Sequence, residues 1–169
     1  MKKILCCIIA CASLLLTACG FTPLYGKGGE QGAGVQEKFQ QVRITNIPDR
    51  QGQILRNDLV DRLYHNGTPA EPVYELSIAS IQQHSTALDI TPDSSSTRSE
   101  LRLLTTLKLK EISTGKTLMS RELIAVASYD VLGNEYTTLV TQESVRDNAL
   151  NDLAQQIETQ LALYFSRAP

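Results

Sequence analysis

Tryptophan is absent from this chain, and six tyrosines and three phenylalanines are its only aromatics. Stacking on sugars or nucleobases is therefore poorly provided for. Cysteine is scarce and badly placed for crosslinking. Cys6, Cys7 and Cys11 lie in an apolar run near the start, which leaves Cys19 as the last one in the sequence. The domain beyond it can form no disulfide, even in an oxidising compartment. It also has no Cys/His grouping with zinc-ligand spacing. An excess of positive charge is missing too. The formal net charge is −2, and it falls to −4 without Lys2 and Lys3. An acidic domain is a poor non-specific binder of nucleic acid or anionic lipid.

Recognisable catalytic chemistry is also lacking. No GxSxG, HExxH or phosphate-loop pattern occurs. His65 is placed at a helix end, where a cation suits the dipole, and His84 at a strand end. Ser94, Ser95 and Ser96 read as a solvated loop, and Asp89 and Asp93 as a turn about Pro92. A binding or structural protein follows, with no catalytic residue, metal or cofactor. The rival class is an enzyme whose site is assembled without a motif.

The chain does have a leader. Lys2 and Lys3 precede an apolar run at residues 4–16, the order of a secretory signal. Residues 4–18 are short for a membrane-spanning helix, which needs ~20. Ordinary signal peptidase fits poorly after Ala18, because Leu16 then stands three positions before the cut. Ala10-Cys11-Ala12 suits that enzyme better but leaves a very short apolar run. Leu16-Thr17-Ala18-Cys19 instead resembles the bacterial lipobox, whose cysteine is acylated and becomes the N-terminus. Gly20 rather than Asp follows it, which points to the outer membrane. Several acyl chains at ~0.8 kcal/mol per buried methylene make such an anchor effectively permanent. The expected division is residues 1–18 as signal peptide, 19–38 as lipidated N-terminus and flexible tether, and 39–169 as a single domain. The tether expectation rests on "GKGGEQGAG" at 26–34.

Alternating apolar residues predict strands at 41–47, 72–84, 98–110 and 117–131. Leu101, Leu103, Thr105, Leu107 and Leu109 share one face of the third. Arg102, Thr106, Lys108 and Lys110 share the other. A broken alternation near Leu123 and Ile124 suggests a bulge or burial on both faces. Residues 113–116 read as a hairpin turn, with Gly115 supplying positive φ. Residues 89–97 read as a polar loop. Leu55, Leu59 and Leu63 mark a first helix over 51–65, with Pro48-Asp49 as its N-cap signal. A second begins near Thr141, where Val145, Ala149, Leu153, Ile157, Leu161 and Phe165 recur every four residues. The order β-α-β-β-β-α predicts a two-layer α+β sandwich, a four-stranded mostly antiparallel sheet packed by two helices.

Three features together resemble the lipopolysaccharide-assembly lipoprotein family LptE in its alphaproteobacterial form. They are "CGFTPLYG" at 19–26, the element order, and the stretch from "SYDVLGNEY" to "QLALYF". The resemblance implies an outer-membrane lipoprotein that plugs the β-barrel LptD and helps place lipopolysaccharide in the outer leaflet. It implies lipidation of Cys19. It also suggests a role for Phe21, Leu24 and Tyr25 beside the anchor, either in the bilayer interface or against the barrel. The alternative from another class is an envelope scaffold that binds peptidoglycan or another envelope protein.

Residues 98–121 hold six basic residues against Glu100 and Glu111. Arg102, Lys108 and Lys110 share a strand face, with Lys116 at the turn. Together they are the expected phosphate-binding set, since Arg and Lys pair with phosphate through charge-assisted hydrogen bonds. The competing reading is an ordinary solvated sheet face whose charges guard against edge pairing.

Overall fold

The computed structural model describes residues 30–65, 67–90, 96–131 and 135–167. The chain groups into two units, Met1–Ala33 and Gly34–Pro169, and the sheet belongs to the second. The elements are α1 (Glu30–Phe39), β1 (Val42–Ile44), α2 (Asp49–Leu63), β2 (Tyr74–Ile78), β3 (Gln82–Ile90), β4 (Ser96–Glu111), β5 (Thr117–Asp130) and α3 (Glu135–Arg167). The α+β class is as expected. Among the described residues there are five strands and three helices, against the four and two read from the sequence.

The 16-residue strand β4 is the spine of the sheet. Strand β5 pairs antiparallel along one edge, from Arg98↔Asp130 to Lys110↔Thr117. Strands β2 and β3 share the other edge, end to end, both antiparallel to β4. Strand β1 adds to β2 in parallel.

The extra strand has a local cause. Ile78 pairs with Leu107 and Gln82 with Leu104, so residues 79–81 lie opposite only Thr105 and Thr106. One residue too many breaks the ladder and reverses which side chains point inward. Leu76 and Ile78 face the core before the break, and Gln83 faces the helices after it. The same break accounts for Thr105. It is the buried polar residue in a run of leucines, and its hydroxyl donates to the Ala79 carbonyl at 2.9 Å. Past the break β3 continues to Ile90 and β4 begins at Ser96, so Asp89 and Ser96 lie in strands and not in a loop. Ser94, Ser95 and Asp93 lie outside the described residues.

The β4 parity holds. Leu101, Leu103, Leu107 and Leu109 are fully buried, while Arg102 and Lys108 are exposed. In β5 the alternation survives at Leu123 and Ile124, which are 7% and 48% exposed. The irregularity falls instead between Leu109 and Lys110. Gly115 sits at φ 69° in the hairpin, as expected.

Helices α2 and α3 cover one face of the sheet. Leu55, Leu59 and Leu63 of α2 are buried, as are Leu153, Ile157 and Leu161 of α3. The two run in the same direction, since Arg50 reaches Glu143 at 3.4 Å and Arg62 reaches Glu158 at 3.2 Å. The α2 start departs from expectation. Pro48 is the N-cap and no side chain caps the helix. Asp49, at φ 68°, accepts a hydrogen bond from the Ser80 hydroxyl at 2.8 Å instead.

Helix α3 begins at Glu135, earlier than Thr141, and its 33 residues span ~50 Å. Helix α1 replaces the tether expected over residues 30–38. Gly32 and Gly34 oppose helix formation by ~1 kcal/mol each. Burial of Val35 and Phe39, one turn apart, offsets that, and Phe39 meets the Phe165 ring edge-on at 6.2 Å.

Candidate functional site

The sheet face away from the helices carries most of the basic residues that lie in strands. Parity on β4 puts Arg98, Arg102, Lys108 and Lys110 there. The structure separates them by partner. Arg102 donates to Glu100 at 2.5 Å, Arg98 pairs with Asp130 at 3.4 Å, and Arg43 of β1 pairs with Glu75 at 2.6 Å. Among the described residues, Lys108, Lys110 and Lys116 enter no ion pair within 4.0 Å. Register sets Lys108 between Ser77 and Ser120, and Lys110 opposite Glu75, whose carboxylate already meets Arg43.

Spacing separates them further. Lys108 and Lys110 are two residues apart on one face, ~7 Å, whereas Arg102 lies six residues away, ~20 Å. The stretch between carries Leu104, cross-strand from Ile124, and Val126 lies opposite Arg102. Ile124 and Val126 are 48% and 52% exposed. The four expected phosphate ligands are therefore one ion-paired arginine far along the strand and three lysines gathered at the hairpin end.

That end also receives the chain. Phe39 and Tyr74 both pack on Phe165, and the Lys38 ammonium lies 6.0 Å from the Tyr74 ring centre. Residues 34–39 thus enter the domain beside the basic hairpin and the C-terminal turns of α3.

A groove of about 510 Å³ lies there too, between β5 and α3. Met119, Leu118 and Leu163 supply apolar walls, and Arg121, Arg167 and Tyr164 supply polar groups. In the sequence Arg121 reads only as one more positive charge. Its odd number puts it on the helix-facing side of β5, in step with buried Met119 and Leu123, yet it is exposed. A cation on the core side of an alternating strand is the signal that marks this groove. Burial is the main cause that raises the Tyr164 pKa, with Tyr74 and the charge of Glu111 adding to it. The phenol is therefore a neutral donor at physiological pH.

Cys19, Phe21, Leu24 and Tyr25 lie outside the described residues. Among the described residues, no group of three or more His, Cys, Asp or Glu is placed to hold a metal. No described helix is long and apolar enough to cross a membrane.

Solved structures share this fold. A chain described as a lipoprotein from Caulobacter crescentus CB15 superposes with a TM-score of 0.64 at 20% identity, covering 80% of this chain and 98% of that one. A minor lipoprotein from Acinetobacter baumannii gives 0.59 at 23% identity, covering 73% and 92%. The rare lipoprotein B from Shewanella oneidensis gives 0.58 at 12% identity, covering 73% and 92%. No curated protein matches the chain. The lipopolysaccharide-assembly family LptE matches residues 39–161, which take in every strand and most of α3. A long antiparallel β4–β5 ribbon with a parallel pair of helices on one face, and exposed basic and apolar residues on the other, is how this chain builds that fold; it belongs to the LptE lipopolysaccharide-assembly family.

Proposed function

We propose that the chain is an outer-membrane lipoprotein, acylated at Cys19, that pairs with an LptD-like β-barrel and assists lipopolysaccharide assembly at the outer surface. It acts by binding and positioning, without catalysis. Family membership over residues 39–161 is the observation that carries this reading. The hairpin lysines supply a chemistry for it. Lys108, Lys110 and Lys116 have no carboxylate partner among the described residues, so their ammonium groups are available to lipopolysaccharide phosphates. Arg102 contributes less, because phosphate must compete with Glu100. Phe21, Leu24 and Tyr25 remain proposed contacts, made either with the bilayer interface or with the barrel.

Affinity purification of the full-length protein from its own envelope tests the partner. A co-purifying β-barrel is expected, and peptidoglycan in its place would overturn the reading. Replacing Lys108, Lys110 and Lys116 together by Gln is expected to weaken lipopolysaccharide binding several-fold and flatten its salt dependence, with the barrel retained.

A further inference from the structure

The groove between β5 and α3 is not needed for anything above. It combines two arginines, a phenol and an apolar wall. Arg121 and Arg167 form no ion pair among the described residues. Placing Arg121 on the helix side of β5 forgoes an apolar contact that its neighbours Met119 and Leu123 make. Planar guanidinium groups bind phosphate in bidentate fashion. Leu118, Met119 and Leu163 beside them suit hydrocarbon. The chemistry that meets both demands is an acyl lipid with a phosphate headgroup.

Position and size narrow the choice. The chain enters the domain at this end, through residues 34–39, and Cys19 lies 15 residues before Gly34. An extended segment of that length reaches ~50 Å at most, so an acylated Cys19 keeps this end within that distance of the leaflet that carries the anchor. Lys38, Lys110 and Lys116 stand at the same end, which favours an anionic surface. Glu111 is the acid whose charge reaches Tyr164, and it also accepts a bond from Thr114. About 510 Å³ lies in the range of small-ligand sites and holds one headgroup with the start of one chain. We propose that this groove binds the phosphate and proximal acyl segment of a glycerophospholipid from the anchoring leaflet, with Arg121 and Arg167 on the phosphate. The domain is then held in one orientation to the membrane by two attachments, the covalent anchor and this headgroup. The inference rests on the reading of Cys19 as lipidated.

The test uses the full chain in its own envelope. A photo-crosslinking amino acid replaces Leu163, and in a control Val126 on the opposite face, in cells whose phospholipids carry radioactive phosphate. The expected product at 163 is a phospholipase-sensitive adduct. R121Q combined with R167Q is expected to cut its yield at least fivefold, with the melting temperature unchanged. Lipopolysaccharide or protein as the adduct at 163, an adduct indifferent to the double substitution, or no adduct would each overturn the proposal. Co-purification of the barrel is scored on the same samples. A barrel retained without a phospholipid adduct rejects the groove and leaves the functional reading intact. A barrel lost with the adduct present rejects that reading and keeps the groove.

Discussion

The side-chain amide of Gln156, on α3, donates to the main-chain carbonyl of Ile124, on β5, at 3.1 Å. The helix thereby occupies one of the acceptors that β5 turns away from β4. An unpaired strand edge is a template for another strand, and here a helix side chain covers part of it. Gln156→Ala should cost about 1 kcal/mol or less, because the bond is solvent-accessible. Its larger effect should be on self-association, read by light scattering against concentration. Unchanged scattering would mean that Gln156 does not guard the edge.

The core should respond to truncation on α3. Leu153 is fully buried, so Leu153→Ala should destabilise by ~2–5 kcal/mol. Chemical denaturation measures this. A variant as stable as the parent would place that stripe against a partner and not against the sheet.

Two helical glycines should behave in opposite ways. A Cβ on Gly52 would lie 2.7 Å from Ile47 Cγ2 and 2.9 Å from the Ile47 carbonyl. Gly52→Ala should therefore cost ~1–3 kcal/mol, as overpacking does. At Gly34 a Cβ meets nothing within 4 Å. Gly34→Ala should stabilise by ~0.5–1 kcal/mol by removing backbone entropy from the unfolded chain. Thermal melts of the pair give the signs directly.

Asp58 supplies a pH dependence. Burial, chiefly, raises its pKa, with Asp61 and Asp147 adding to the rise and Arg62 opposing it. The folded state then holds the proton more tightly than the unfolded chain. The stabilising contribution is complete below the ordinary carboxylate pKa and is lost as pH rises through the raised value. Asp58→Asn should be more stable than the parent at pH 7 and show no advantage in acid. Denaturation at several pH values would expose the difference in slope.

Lipidation turns on one thiol. Cys19→Ser should leave an exported protein that incorporates no labelled palmitate. Label in the variant would remove the lipobox reading. Fractionation of the parent with the inner membrane would remove the inference drawn from Gly20.

Several elements were legible because one physical rule governed them. Alternation of period two fixed the inward leucines of β4, and four-residue spacing fixed α3 from Ala149 onward. Elsewhere two rules competed. The earlier turns of α3 expose Tyr136, Leu139 and Val140 at 77%, 57% and 53%, so an apolar stripe there marks no core. In α1, two glycines obscured Val35 and Phe39, whose burial depends on Phe165 far along the chain. At the site, parity correctly put Arg102 with the lysines, but its proximity to Glu100 gave it a partner. The groove is not visible in the sequence because it needs Arg121 and Arg167 brought together from β5 and α3.

The three-against-two mismatch at residues 79–81 gives the β3 half of the ribbon an inward parity of its own, set by its pairing with β4 and independent of β2. Deleting one residue there would restore two-against-two pairing and leave Gln83 opposite Leu103, still on the helix side where it meets Gln51 and Arg146 at 2.8 and 3.0 Å, with His84 still outward opposite Arg102. Residues gained or lost in matched pairs, toward the Ile90 and Ser96 ends of the two strands, leave every inward position inward. The outer half of the ribbon can thus be lengthened or shortened like a telescoping arm while the helix-covered half keeps its parity. In this architecture the distance that the ribbon reaches is a trait that can change without passing through an unstable protein.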